Sequence, residues 1–516
     1  MPQSWQGVAV FQAKAMLDPP EPQPAGSRAP WALPSGIVVL GLALRLYHLN
    51  YASVWGDEIF TLSVSRQPLR EMYPAVVTDF VHPPLHYFLL HFWFKLVGFG
   101  PFQARFLSVV FGTLAIIAVY LLGEYLFDRR AASLAALLLA VSQLGVMYSQ
   151  EARPYALLLF LVPCCSYLFL VALRTGDAGP WWGFVLTAIL VAYTNYFGFF
   201  AVAALLLFAA VYRVRYPIPI SRWIGGTALG LLLYLPWLTS GFVGRWIHAH
   251  QNVRGLPRAY MPWWTVLSTI NTFNNGRTGG LIESSPWWTF LLGGLLFSIP
   301  ALITFEPLLK KSLTDSAERQ LRENVLFLIL LFGIPFSAVL GVCFLSASYF
   351  VRYIMFVISS YYLLVGRGIS AFNRTALRAA LLSACLAYSV YSLRVNYFVP
   401  YKEDYKGAYA HLAQAGQPGD CYVVVPPSRE EKLLAQWAWA IYEGSRPAMT
   451  PTSLEGATSG QATCARVWLI SIERRSFPSA VKLSEGAQHV LELDHVRIEE
   501  SRYFCIVLDL FVPRGQ

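Results

Sequence analysis

The sequence is short of charge: only 13% of its 516 residues are Asp, Glu, Lys or Arg, whereas 56% are hydrophobic. Soluble domains carry about a quarter of their residues as charged groups, so this shortage excludes a string of ordinary soluble domains. Cysteine is scarce too, seven in all, with no metal-ligand spacing among them. Cys164 and Cys165 are adjacent in one apolar run, and Cys343 and Cys385 lie in others, where they read as packing residues. No short-period internal repeat is present. Residues 1–30 lack the basic start and apolar centre of a signal peptide; Pro19, Pro20, Pro22, Pro24 and Pro30 mark them as a flexible tail that stays on the cytoplasmic side.

What the chain does have is 16 Trp, 28 Tyr, 34 Phe and a mean hydropathy of +0.48, the composition of a polytopic membrane protein. Its net charge of +10 could suggest nucleic acid. However, the Lys and Arg residues punctuate apolar runs instead of forming one stripe, a pattern that sets membrane orientation.

A spanning helix needs about 20 apolar residues, and about eleven such runs emerge. They lie at Leu33–Leu49, Phe102–Phe127, Ala131–Tyr148, Tyr155–Leu173, Trp181–Gly198, Phe199–Val211, Trp223–Thr239, Trp287–Thr304, Val325–Leu345, Tyr353–Val365 and Leu377–Leu393. With a cytoplasmic N-terminus, the cytoplasmic loops carry Arg129 and Arg130; Arg174; Arg213, Arg215 and Arg222; Lys310, Lys311, Arg319 and Arg322; and Arg367, Arg374 and Arg378. Each of these loops is net basic, as the positive-inside rule requires. The first outer loop, 51–101, reads as surface-lying helices, its Leu85–Val97 stretch being too short and too rich in His86, His91 and Lys95 to span. Residues 31–393 thus form a transmembrane domain. After Arg394 the pattern changes: Lys402–Ala415 reads as a helix, and Cys421–Val425, Val467–Ile472 and Tyr503–Leu510 as strands. The expected architecture is an all-α polytopic membrane protein with a small extracytoplasmic α/β domain over 394–516. Cys421, Cys464 and Cys505 would face an oxidising compartment, but their odd number assigns no pair.

Several polar groups converge on the outer face. Asp57 and Glu58 are adjacent just past the first run; a carboxylate there can act as a general base, or both can serve as a cap against the following helix dipole. In Gln150-Glu151-Ala152-Arg153-Pro154-Tyr155, Arg153 offers a planar donor fork suited to phosphate, or pairs with Glu151 or with the first-loop carboxylates. His82 and His86, spaced i, i+4, lack a clear third metal ligand and fit phosphate contact or packing as well. Arg352, followed by Tyr353, adds a cation that could equally snorkel to headgroups. Arg245, His248, His250, Arg254 and Arg258 in the long loop Gly241–Pro286 are further candidates for a polyanionic ligand. A transporter of a lipid-linked anion would share these outer cations but would need ionised groups deep in the spans, where few fall.

Taken in order, Arg45-Leu46-Tyr47, Trp55-Gly56-Asp57-Glu58, His82-Pro83-Pro84-Leu85, Tyr148-Ser149-Gln150-Glu151-Ala152-Arg153-Pro154-Tyr155, Tyr349-Phe350-Val351-Arg352-Tyr353 and Asp404-Tyr405 through Pro418-Gly419-Asp420 resemble the bacterial family-39 glycosyltransferases. These stand with the protein O-mannosyltransferases and lipid A aminoarabinose transferases in the GT-C class. The resemblance implies an inner-membrane enzyme that moves a sugar from a polyprenyl-phosphate donor to a protein, lipid or polysaccharide acceptor on the outer face, inverting the anomeric centre. It also implies Asp57 as general base, with Glu58 supporting it or binding substrate, and His82, Glu151, Arg153, Tyr155, Arg352 and Tyr353 around the donor phosphate or sugar. A ligase or polymerase of lipid-linked glycans is a rival within the same class. No cofactor is called for, and a divalent metal has no ligand set to support it. Two positions depart from the pattern: Asn195 stands before Tyr196-Phe197-Gly198 where relatives often carry His, and His82 replaces a Lys found in some relatives. A partly charged His82 would make its phosphate contact pH-dependent.

Overall fold

The computed structural model describes residues 31–79, 82–216, 218–241, 244, 262–276, 287–310, 315–346, 349–425, 429–442, 449–458, 464–473 and 478–514. The N-terminal tail and the loop residues Arg245, His248, His250, Arg254 and Arg258 lie outside them, as does Lys311.

Every apolar run coincides with helix. In chain order these are α1 (Ala32–Leu46), the first-loop helices α2 (Gly56–Arg66), α3 (Leu69–Asp79) and α4 (Leu85–Val97), then α5 (Pro101–Leu126), α6 (Arg129–Val141), α7 (Gln143–Ser149), α8 (Tyr155–Thr175), α9 (Ala178–Thr194), α10 (Gly198–Val211), α11 (Ile220–Leu238) and α12 (Pro262–Asn275). The segment Trp287–Ile303 passes through a π-turn at Gly294–Ser298, and a short helix covers Glu306–Leu309. The helical part ends with Ser316–Ser346, Ile358–Ala371 and Thr375–Phe398. Among the described residues, four helices are long and apolar enough to cross a membrane, five counting the bent pair α6–α7, and five apolar helical segments are shorter.

The run expected as one span over Ala131–Tyr148 is broken: α6 and α7 meet at 58°. Ser142 makes the break, its side chain accepting the Gly145 N–H as the cap of α7. The break strips the last carbonyls of α6 of their helical partners, and Arg45 supplies the donors. That fully buried guanidinium donates to the carbonyls of Leu139 and Ala140 at 3.3 and 3.1 Å, to Gly41 O at 2.9 Å and to Ser149 Oγ at 3.1 Å. A side chain at Gly112 would have no room beside this group, since its Cβ would fall 2.0 Å from Ser149 Oγ.

The basic loops gather at one end of the bundle. Arg174 and Arg215 both reach the start of the Ser316–Ser346 helix, bonding Asn324 and Glu323, and Asn324 in turn donates to Leu126 O. Arg222 bonds Gly176 O, and Arg367 lies over the Phe127 ring. The first-loop helices, Arg153, Arg352 and the start of the C-terminal domain meet one another at a separate site.

The C-terminal domain has a five-stranded sheet in the order β2-β1-β3-β5-β4, built from β1 (Cys421–Val425), β2 (Thr450–Pro451), β3 (Val467–Ile472), β4 (His495–Tyr503) and β5 (Ile506–Pro513). β1 runs parallel to β2 and β3, and β5 antiparallel to β3 and β4. The central strand β3 is buried throughout, as its near-continuous apolar sequence demands. Two expectations shift here. The strand expected over Tyr503–Leu510 straddles the turn between β4 and β5, where Cys505 adopts φ 61°. The helix expected from Lys402 starts at Tyr405, because Asp404 caps it by accepting the Gly407 N–H. Cys421 pairs with Cys464, so Cys505 stands outside this disulfide.

This domain is fastened to the first loop. Tyr442 Oη accepts the Val54 N–H at 2.6 Å, the Lys406 N–H donates to Ser53 Oγ at 3.0 Å, and Trp437 packs on Phe60 of α2. The disulfide closes a separation of 43 residues. Cys464→Ser is expected to cost the domain roughly 2–4 kcal/mol, read as a lowered unfolding midpoint that reductant reproduces in the unmodified protein.

Candidate active site

The backbone enters α2 from Trp55, whose φ of −109° and ψ of 173° are extended. Asp57 and Glu58 therefore occupy the first helical turn, where carboxylates face the positive end of the dipole, and neither is the cap residue itself. Successive helical side chains diverge by about 100°, so the two acids point to different places. Glu58 turns inward and is fully buried, while the Asp57 side chain keeps 34% exposure.

Both Glu58 oxygens are occupied by protein. Arg105 of α5 grips them in a two-pronged pair, Nε to Oε1 at 2.9 Å and Nη2 to Oε2 at 2.8 Å. The Ala152 N–H adds a bond to Oε1 at 2.9 Å and Lys402 Nζ one to Oε2 at 3.3 Å. Arg105 spends its other donors on the carbonyls of Leu49, Ala52 and Ser53. The pair thus clamps the chain before α2 against the start of α5 and the segment before α8. Burial alone would raise the Glu58 pKa; the charges of Arg105 and Lys402, with the hydrogen bonds, outweigh it and bring it down to about 2. Glu58 is closed off from solvent, in contrast to Asp57.

Asp57 sits at the opening. Its Oδ2 lies 3.6 Å from Arg153 Nη2 and 3.8 Å from Arg352 Nη2, ion-pair distances too long for good hydrogen bonds. Arg153 is anchored by donating to Asp57 O at 3.0 Å and Thr61 Oγ1 at 2.7 Å, so it pairs with the first loop and not with Glu151. Arg352 stands in a single 3₁₀ turn, Val351–Tyr353, with its guanidinium over Phe350 and Trp55 at 4.2 and 5.5 Å from the ring centroids. Tyr353 packs on Phe197, and Asn195 shapes that turn by accepting the Phe197 N–H at 2.9 Å. Tyr155 packs against both His82 and Tyr148. Glu151 is buried and meets Lys402 Nζ at 3.2 Å.

His82 and His86 are buried; neither ring nitrogen of His82 has a hydrogen-bond partner among the described residues, while His86 interacts with the Ala152 backbone. Burial first, then the neighbouring Arg153, lowers both pKa values; Arg352 adds to the effect on His82, and His86 falls to about 3. Burial first, and the two guanidiniums after it, thus oppose the charged form of His82 on which a pH-dependent phosphate contact would rely. Among the described residues no three His, Cys, Asp or Glu side chains form a metal-binding group.

Sequence reasoning missed Arg105 and Lys402. Arg105 carried a signal, a charge inside the first turns of an apolar run. Lys402 carried none, being one Lys in a polar linker.

Glu58→Gln is expected to cost roughly 3–5 kcal/mol, since it leaves Arg105 and Lys402 buried with one carboxylate fewer; a thermal midpoint equal to wild type would contradict this. The two histidines set a second expectation. Unfolding frees them to bind protons near 6.5 while the folded state resists, so stability falls as pH drops below about 6.5. Midpoints measured against pH should show that fall, and His86→Asn should shrink it.

With this geometry in place, the comparisons fit it. Residues 81–239 match the family model "Dolichyl-phosphate-mannose-protein mannosyltransferase". No curated protein sequence matches. Among solved structures, ArnT from Cupriavidus metallidurans bound to undecaprenyl phosphate aligns at TM-score 0.58 and 13% identity, over 93% of this chain and 98% of that one. AglB from Archaeoglobus fulgidus, an archaeal oligosaccharyltransferase in complex with an inhibitory peptide and a dolichol-phosphate, aligns at TM-score 0.52 and 13% identity, over 92% of this chain and 74% of that one. The chain shares the fold of ArnT and AglB, and the match over 81–239 is to a mannosyltransferase family model of the kind its motifs resemble.

Proposed function

We propose that the protein is an inner-membrane glycosyltransferase that moves a sugar from a polyprenyl-phosphate carrier to an acceptor hydroxyl on the extracytoplasmic face, with inversion and with Asp57 as general base. The observation that carries this reading is the half-exposed Asp57 carboxylate set between two guanidiniums, near the unpartnered imidazole of His82. The matched family model and the lipid phosphates held by the two similar structures support the donor class. The basic loops and the Cys421–Cys464 disulfide support an outward-facing C-terminal domain.

In a single displacement the acceptor oxygen bonds to the anomeric carbon as the carbon–oxygen bond to phosphate breaks. The hydroxyl proton passes to Asp57, and the bonding pair leaves with the phosphate, whose negative charge grows. Arg153 and Arg352 are in place to receive that charge before the reaction starts, which is where preorganised cations lower a barrier most. Their contacts to Asp57 are loose, so a phosphate entering between them can draw the guanidiniums away and leave the carboxylate lone pairs free for the proton. His82 has ring nitrogens free to hydrogen-bond a phosphate or sugar oxygen.

Asp57→Asn should lower transfer from a radiolabelled polyprenyl-phosphate sugar by about 10²- to 10⁴-fold; undiminished transfer by the folded variant would sink the assignment. Arg153→Ala should raise the donor concentration needed for half-maximal rate, and unchanged donor dependence counts against the phosphate role. A C-terminal tag should be reachable only from the outer face.

A further inference from the structure

Lys402 belongs to the linker between the last long helix and the C-terminal sheet, yet its ammonium ends in the buried layer beneath Asp57. Its side chain is 5% exposed and lies 3.3 Å from Glu58 Oε2 and 3.2 Å from Glu151 Oε1. The linker is held from the other side as well, the Asp404 N–H donating to Phe504 O at the β4–β5 turn. Without Lys402, Glu58 would keep Arg105, and buried Glu151 would have no ion-pair partner among the described residues. The four groups together sum to zero charge, which is what a layer with so little access to water requires.

We propose that Lys402 is a positioning residue of the active centre: reaching in from the C-terminal domain, it balances the Glu58–Glu151 carboxylate pair and so fixes the helical turn that carries Asp57. This rests on the reading of Asp57 as the base. Glu58 is the link, since the same carboxylate that takes Lys402 also takes Arg105 and the Ala152 N–H, the residue before Arg153. Loss of the ammonium would therefore loosen the turn that carries the base, while Arg153 keeps its own bonds to Asp57 O and Thr61 Oγ1. Burial opposes the charge on Lys402, but Glu151 and Glu58 more than offset it and raise its pKa, while burial raises that of Glu151. The other groups facing the junction are Arg352, Tyr148, Tyr401 and Tyr442.

The test compares Lys402→Met with the double variant Lys402→Met/Glu151→Gln in the full-length protein. The single variant should lose about 10- to 100-fold in kcat through misplacement of Asp57, with donor KM little changed because both guanidiniums remain. The double variant, again charge-balanced, should recover about tenfold of that loss. Thermal midpoints provide a readout free of activity. A carboxylate whose pKa is raised by the missing ammonium costs stability as pH climbs, so the gap between single variant and wild type should narrow on acidification from neutral pH. A wild-type kcat in Lys402→Met, no rescue in the double variant, or a gap that ignores pH would each overturn the proposal. Should the wild type itself transfer no sugar, the glycosyltransferase reading fails, and the midpoints alone still decide whether Lys402 balances the pair.

Discussion

The buried pair between Glu58 and Arg105 is the interaction on which the outer end of the molecule depends. A two-pronged guanidinium–carboxylate contact fixes both distance and orientation. Here its remaining bonding capacity is spent on three carbonyls of the first loop, one backbone N–H before α8 and one ammonium from the C-terminal domain. Four stretches far apart in sequence are thereby held to a common point. Such a pair is no strong source of stability in itself, because desolvation offsets much of the attraction. What it supplies is geometry: breaking it would leave charge stranded, so alternative arrangements are disfavoured.

Asp57 and Glu58 show how adjacency can mislead. Side by side in sequence, they divide between two layers, one at the opening and one facing the protein. The inner layer is charge-balanced. The outer layer, with Asp57 against Arg153 and Arg352, is left with surplus positive charge. An electropositive opening over a neutral foundation suits an anionic ligand that must arrive, react and depart.

Helix positions were legible because a spanning helix imposes length and hydropathy, and the paired motifs around Asp57, Arg153 and Arg352 were legible because ionised groups are rare in such a chain. The break at Ser142 was not, since its cause is a single capping hydroxyl whose carbonyl debt is met by Arg45, 97 residues earlier in the chain in the sense that only the fold brings them together. The β4–β5 turn was missed for a similar reason: Cys505 is a poor turn residue by type, and its positive φ follows from the sheet register around it. Arg105 was readable in principle as a charge within an apolar run. Lys402 was not, because nothing in a linker sequence says that it turns back towards the first loop.

The distance along the chain between Lys402 and Glu58, 344 residues, has a consequence for biogenesis. Chains are made from the N-terminus, and contacts between remote residues must wait for the later partner. The first loop and Arg105 are in place early, with Glu58 already buried against one cation. Glu151 then joins without its own. Until the linker after the last long helix arrives, that layer has two carboxylates for one cation, so its charge balance is completed only late in synthesis.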